Sequence, residues 1–150
     1  LHTNDAPSTI TRLQNMGTPD YLISAATQMV LAQRLARRNC KECRIPDEDV
    51  TPKVLTDLGF SPELASRAKA IKGKGCPKCK DTGYKGRQGI YEILVVSKPI
   101  KEAILRQATT PELREIAIKE GFQTMQDMGR RMIASGELSF REYERVLSSE

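Results

Sequence analysis

The chain has 150 residues, of which 39% are hydrophobic and 29% are charged, and its formal net charge is +5. No apolar stretch approaches the roughly 20 residues that a membrane-spanning helix needs, and the first residues lack the charged-then-apolar layout of a signal peptide. These features argue against an integral membrane protein and predict a soluble, cytoplasmic protein with one ordinary domain or two small ones.

The positive charge alone is a weak indication of a nucleic-acid or acidic-membrane partner. Much of the excess lies beside four cysteines, whose thiolates around a zinc ion would lower the net charge to about +3. The flanking cations, which balance such an anionic cluster, are Lys41, Arg44, Lys72, Lys74, Lys78 and Lys80.

Two helices are predicted before the first cysteine. Asp5 is a cap residue, Pro7 suits a first helical turn, and Gly17 is a stop, which predicts a short helix between them. Asp20 precedes a second helical pattern of apolar residues that continues to the arginines at positions 34, 37 and 38. We therefore expect one long helix that leads to the first cysteine pair.

The four cysteines form two Cys-x-x-Cys pairs, Cys40 with Cys43 and Cys76 with Cys79, and they are the only cysteines in the sequence. A two-residue spacer lets both sulfurs of a pair face one centre, and four thiolates satisfy the tetrahedral preference of Zn²⁺. A closed tetracysteine site keeps no ligand position for water, so we predict a structural zinc site at these four residues. A redox pair or incidental cysteines remain the alternatives.

The segment between the cysteine pairs contains two helix-start signals, Thr51-Pro52 and Ser61-Pro62, with Gly59 closing the first helix. The apolar residues here are too few for an independent core, so we expect the metal to supply the missing stability.

After the second pair, a glycine-rich turn leads to the β-branched and aromatic run Ile90–Val96, which predicts a strand. The remainder is helical. Ser97 is a candidate cap, Thr109 with Glu112 forms a capping-box pattern, Thr124 precedes a methionine-containing helix, and Ser139 with Glu142 repeats the capping box. Methionines 125, 128 and 132 fit ordinary core packing.

An ordered series of motifs resembles one known family. It comprises residues 1–13 (LHTNDAPSTITRL), residues 32–37 (AQRLAR), the two cysteine pairs, residues 82–87 (TGYKGR) and residues 89–92 (GIYE). Together they resemble the C-terminal part of the GspE/PilB family of type II secretion and type IV pilus assembly ATPases, over essentially the whole chain. The pilus assembly members are the closer resemblance.

The resemblance implies a mostly helical α+β chain in three parts. Residues 1–39 would be the tail of a RecA-like P-loop ATPase core, 40–96 a tetracysteine zinc subdomain with a short strand, and 97–150 a helical C-terminal subdomain. The whole protein would be a cytoplasmic homo-hexamer, peripheral to the inner membrane, that uses ATP and Mg²⁺. It would act on an inner-membrane platform protein to polymerise pilin, without specific nucleic-acid binding.

The same resemblance implies two further site residues. His2 falls on the histidine box, a loop near the nucleotide that acts in the intact motor. Arg34 falls on an element assigned to the last helix of the core, where it would contact nucleotide or a neighbouring subunit.

No phosphate-binding Gly-x-x-x-x-Gly-Lys-Ser/Thr loop occurs in the sequence, and no apolar strand ends in paired acidic residues for Mg²⁺. We therefore expect a fragment of a longer ATPase that is inactive by itself.

Two alternatives remain open. Tyr84, Lys85 and Arg87 follow the second cysteine pair and could stack a base and contact phosphate, which would suit a nucleic-acid-binding zinc module. A structural zinc domain used only for docking is the other. The glycines around Tyr84 argue against the nucleic-acid-binding module, because they fit a tight turn in which the Tyr84 side chain covers the metal site.

Overall fold

A computed structural model describes residues 1–148, so the last two residues of the predicted segment 97–150 lie outside the described part. The chain divides into two compact units, residues 1–33 with 91–125 and residues 34–90 with 126–150. Two long strands, β1 (Met29–Asn39) and β4 (Tyr84–Val95), pair with each other and contribute residues to both units.

The first unit contains four helices, α1 (Ala6–Asn15), α2 (Asp20–Ala26), α5 (Lys98–Leu105) and α6 (Thr110–Lys119). As predicted, Asp5 caps α1 by accepting the Ser8 backbone N–H at 2.8 Å. The predicted capping box between Thr109 and Glu112 at the start of α6 is also confirmed. The large aliphatic side chains that are fully buried in the described part of this unit are Ile10, Leu94, Ile100, Ile104 and Leu113.

The second unit is built around a small antiparallel sheet and four helices. The sheet pairs β2 (Arg44–Pro46) with β3 (Ile71–Gly73), so that Arg44 lies opposite Gly73. The helices are α3 (Pro52–Asp57), α4 (Pro62–Arg67), α7 (Met125–Ala134, whose first residue belongs to the first unit) and α8 (Phe140–Leu147). The predicted helix starts at Thr51-Pro52 and Ser61-Pro62 are both confirmed.

The predicted long helix that leads to the first cysteine pair is wrong. Helix α2 ends at Ala26, and β1 occupies residues 29–39, including the Gln33-Arg34-Leu35 element that the resemblance assigned to a helix. Within β1, Ala32 and Ala36 are buried while Leu31 and Leu35 are about half exposed. Leucine, alanine and arginine favour helices intrinsically, but backbone pairing with β4 overrides that weak preference.

The prediction of a single strand near Ile90 is also incomplete. β4 begins at Tyr84 rather than near Ile90, and the short strands β2 and β3 were not predicted. The segment expected to be a tight turn after the second cysteine pair is instead mostly strand, with Gly86 at a φ of 82°.

The C-terminal helices follow the prediction closely. Met125 and Met132 are buried, in agreement with core packing. Ser139 caps α8, whereas the Glu142 side chain binds other partners, described below, instead of closing a capping box. In the described part of the chain, no helix has the length and apolar content needed to cross a membrane.

Candidate metal centre

The four cysteines lie in two connections between strands of the second unit. Cys40 follows β1 directly, and Cys43 precedes β2. Cys76 precedes a short 3-10 turn, Pro77–Cys79, that lies between β3 and β4 and ends at Cys79. The chain therefore delivers both pairs to the place where the β2–β3 sheet adjoins the ends of the two long strands.

The sulfur atoms form a compact cluster. The Sγ atoms of Cys40 and Cys76 are 3.8 Å apart, those of Cys43 and Cys79 are 3.9 Å apart, and those of Cys76 and Cys79 are 3.7 Å apart. All four lie within 4.8 Å of one another. Four sulfurs at about 2.3 Å from a central Zn²⁺ would be separated by about 3.8 Å in a regular tetrahedron. The cluster thus fits the ion, while every cysteine is free of a disulfide bond.

Backbone N–H groups point at two of the sulfurs. Gly75 donates to Cys43 Sγ, while Cys76 and Gly83 both donate to Cys79 Sγ, each at 3.3 Å. Such donors stabilise a thiolate more than a neutral thiol because the acceptor carries negative charge. This arrangement suits deprotonated, metal-binding cysteines.

The environment separates the thiol pKa values. Burial raises the pKa of Cys43 to about 11 and also raises that of Cys76. Burial acts in the same direction on Cys79, but hydrogen bonds from the backbone of Cys76 and Gly83 outweigh it and lower its pKa to about 6. A bound cation would stabilise all four thiolates together.

Two glycines allow the strands around the cluster to approach closely. A Cβ on Gly73 would lie 2.0 Å from the Gly83 carbonyl oxygen, and one on Gly83 would lie 2.5 Å from the Gly73 oxygen. Gly83 also has a φ of 79°, and its carbonyl accepts the Cys40 N–H at 2.9 Å. Neither position has room for a side chain.

The donor set determines what this centre can do. Four cysteine sulfurs are soft ligands that suit Zn²⁺, and a filled tetrahedral shell leaves no position for water or substrate. The fit indicates a structural centre that would connect the end of β1, the β2–β3 sheet and the start of β4.

A buried carboxylate network lies in the same unit and was not predicted. Glu142 is fully buried and accepts the backbone N–H of Arg37 at 2.9 Å, the Arg37 guanidinium at 2.9 and 3.1 Å, and the Arg145 guanidinium. The Arg37 guanidinium also stacks on Tyr84, 4.2 Å from the ring centroid. The Tyr84 hydroxyl completes the network 3.0 Å from Ser139 Oγ.

The two site residues inferred from the resemblance lie outside the sulfur cluster. Arg34 is half-buried in β1 and donates through Nη1 to the Val146 carbonyl near the end of α8, where helix carbonyls lack partners. His2 is exposed and precedes α1. Their roles near a nucleotide stay predictions.

A second buried carboxylate, Glu92, was likewise not predicted. In the first unit, its two oxygens accept the backbone N–H groups of Ala6, at the start of α1, and Met125, at the start of α7. Burial raises the Glu92 pKa, against the effect of these two donors. Its glutamate identity within a hydrophobic strand was the one available signal.

Comparison with known proteins identifies a group of similar chains. A family profile described as "Type II/IV secretion system protein" matches residues 1–145. The Type IV pilus assembly ATPase PilB of Myxococcus xanthus is 39% identical over 142 residues, which cover 95% of this chain and 25% of that protein. PilB of Thermus thermophilus is 45% identical over 132 residues, which cover 86% of this chain and 14% of that protein.

A secretion protein is similarly related. The Type II secretion system ATPase E of Vibrio cholerae is 37% identical over 145 residues, which cover 87% of this chain and 28% of that protein. The chain therefore spans only 14 to 28% of the length of these three relatives.

Proposed function

The chain belongs to the Type II/IV secretion system protein family, and on that premise we propose that it is the C-terminal, zinc-binding portion of a motor ATPase. The motor would power pilin polymerisation in type IV pilus assembly. The family match over residues 1–145 is the observation that carries this proposal. The sulfur cluster supports the zinc-binding part, because its spacing matches a tetrahedral thiolate site.

The zinc ion would be held by Cys40, Cys43, Cys76 and Cys79 and would cross-link the strand ends as a structural ion. The segment between the cysteine pairs buries few large apolar side chains, chiefly Leu55 and Phe60. Apparent binding free energies of about 10 to 16 kcal/mol for structural Zn²⁺ are large enough to decide whether such a segment is ordered. The metal would make this region rigid enough to transmit force.

An exposed apolar surface supports the placement of the first unit in a larger RecA-like core. On β1, Met29 and Leu31 are 54% and 52% exposed, and on β4, Ile93 and Val95 are 45% and 63% exposed. A two-stranded sheet is marginal by itself, and apolar side chains on its open face favour burial against further structure. In the full-length motor, the remainder of the core would cover this face.

The motor would work as a cytoplasmic homo-hexamer, held at the inner membrane by a platform protein. His2 would lie near the nucleotide, and Arg34 would contact nucleotide or a neighbouring subunit. The chain lacks a phosphate-binding loop, so it would neither hydrolyse ATP nor bind it tightly by itself. A coupled assay on the purified chain should therefore give no turnover above buffer, and zinc-independent turnover would contradict the proposal.

A pilus assembly motor is favoured over a secretion motor by the closer resemblance of the motifs, while relatives of both kinds match. A nucleic-acid-binding module is disfavoured because one face of the Tyr84 ring is occupied by Arg37 and its hydroxyl by Ser139. Those contacts hold the side chain in place and leave only the other face of the ring for a base to stack on.

The test uses the full-length motor with Cys76→Ser, and with Lys78→Gln as a control in the same turn. Lys78 is exposed and supplies no sulfur ligand. We expect Cys76→Ser to abolish or strongly reduce pilus assembly while ATP binding is retained, and Lys78→Gln to behave as wild type. Normal piliation with Cys76→Ser would refute the proposed role of the centre.

A further inference from the structure

A basic cavity lies beside the sulfur cluster in the second unit. It has a volume of about 290 Å³ and is lined by residues 38–42 and 85–87. Four of its lining side chains are cationic: Arg38, Lys41, Lys85 and Arg87. Glu42 is its single carboxylate.

None of the four cations has a carboxylate partner among the described residues. Elsewhere in the same unit, Arg37, Lys72, Arg130 and Arg145 each pair with an acidic side chain. Like charges around one concavity repel, and low-dielectric walls focus their field into the cavity. Of the four, only Lys41 is among the cations expected to balance the cysteine thiolates, so the other three leave a positive potential that an anion would relieve.

The backbone of the cavity is compatible with a close ligand. Gly86 lines it with a φ of 82°, a conformation that a side chain would strain, and the nearest atom to a Cβ there would be Arg38 Cδ at 3.8 Å. Glycine thus leaves the cavity wall between Lys85 and Arg87 free of a side chain.

Asn39 is also among the residues that line the cavity. It is only 3% exposed, and its Nδ2 group donates to the Ile71 and Gly136 carbonyls at 3.1 and 3.3 Å. Its Oδ1 atom is buried and has no hydrogen-bond partner among the described residues. A buried acceptor without a donor is costly, so a water molecule would satisfy it.

We propose that this cavity binds a phosphate group carried by a small ligand, with Arg87 and Lys85 as the principal cationic contacts. Arginine forks and lysine point charges are the side chains that bind phosphate oxygens. The concave shape and small volume favour a free phosphate compound over an extended polymer. The proposal depends on the folded second unit and not on the assignment of the chain to a pilus motor.

The test is an amide NMR titration of the zinc-loaded chain with inorganic phosphate and pyrophosphate. We expect saturable shifts centred on residues 39–42 and 85–87, with pyrophosphate the tighter ligand. The double variant Lys85→Gln with Arg87→Gln should weaken binding at least tenfold. The control, Lys98→Gln with Lys119→Gln, removes the same charge from exposed lysines of the first unit and should leave affinity within twofold.

Zinc content and the amide spectrum of each variant show whether the fold is retained, and Lys85→Gln alone provides a milder second variant. Vesicles of phosphatidylcholine with or without phosphatidic acid separate a lipid headgroup from a free phosphate. Saturable binding of phosphate in solution supports the proposal. The proposal would be overturned if the control pair weakened phosphate binding equally. It would also be overturned if the chain bound only anionic vesicles, or if its amide signals shifted only with single-stranded DNA.

Discussion

Glu142 binds both the backbone N–H and the guanidinium of Arg37, a residue 105 positions earlier in the chain. This relationship holds the last part of β1 against the start of α8 inside the second unit. The carboxylate is fully buried, whereas the Arg37 and Arg145 guanidinium groups are partly exposed, so its removal leaves the Arg37 backbone N–H and the inner faces of both guanidinium groups without their acceptor.

We predict that Glu142→Gln lowers the free energy of unfolding of the second unit by about 2 to 3 kcal/mol, in the range for hydrogen bonds to charged groups. Chemical denaturation followed by circular dichroism measures this change. Glu144→Gln on the exposed side of the same helix is the control and should change stability by less than about 0.5 kcal/mol. Equal effects of the two variants would contradict the structural role of Glu142.

The same residue gives a defined pH dependence. Burial raises the Glu142 pKa, but hydrogen bonds from Arg145 and Arg37 outweigh it and bring the pKa to about 2. The unfolded value is about 4.3, so the folded pKa is depressed. The stabilisation is therefore present in full above about pH 5 and is lost as the pH falls through 4 toward 2. Stability curves of wild type and Glu142→Gln should converge over that range.

The contribution of Glu92 to stability should depend on pH in the opposite direction to that of Glu142. Burial raises its pKa above the unfolded value, so its contribution to stability is largest below the unfolded pKa and is lost as pH rises through the folded pKa. Relative to Glu92→Gln, wild type should therefore become more stable as the pH falls toward 4. Unfolding measured at several pH values checks this, and a difference that shrinks toward acid would contradict it.

Local signals in the sequence correctly predicted the helix starts. Thr51-Pro52, Ser61-Pro62 and the Thr109–Glu112 box depend on residues within one turn, so each signal is complete in the sequence. The cysteine cluster was predictable for a related reason, since the two-residue spacing already restricts each pair to one centre.

The features that depend on distant partners were missed. β1 has helix-favouring residues and becomes a strand through pairing with β4. Glu142 and Glu92 look like ordinary charged positions because key partners are distant in sequence: Arg37 lies 105 residues from Glu142, and Ala6 lies 86 residues from Glu92. The apolar strand around Glu92 marks that position as unusual, but it does not show which donors the carboxylate binds.

The close approach of Gly73 and Gly83 yields a prediction about metal affinity. Gly83→Ala should weaken zinc binding at least tenfold, because its Cβ would lie 2.5 Å from the Gly73 carbonyl oxygen. Gly121→Ala is a matched control, with a similar φ of 93° and nothing within 4 Å of a Cβ. Competition with a chromogenic chelator measures both affinities. An equal loss in the two variants would mean that backbone strain, and not the close approach, is responsible.

The most direct test of the zinc-centred account is the metal content of the reduced, purified chain, followed by thermal unfolding before and after chelation. We predict one zinc ion per chain, and a large loss of stability of the second unit when a strong chelator removes it. Cys79→Ser should lack stoichiometric zinc and respond little to chelator, whereas Lys78→Gln should behave as wild type. Wild-type protein that contains no stoichiometric metal and unfolds identically with and without chelator would contradict the account.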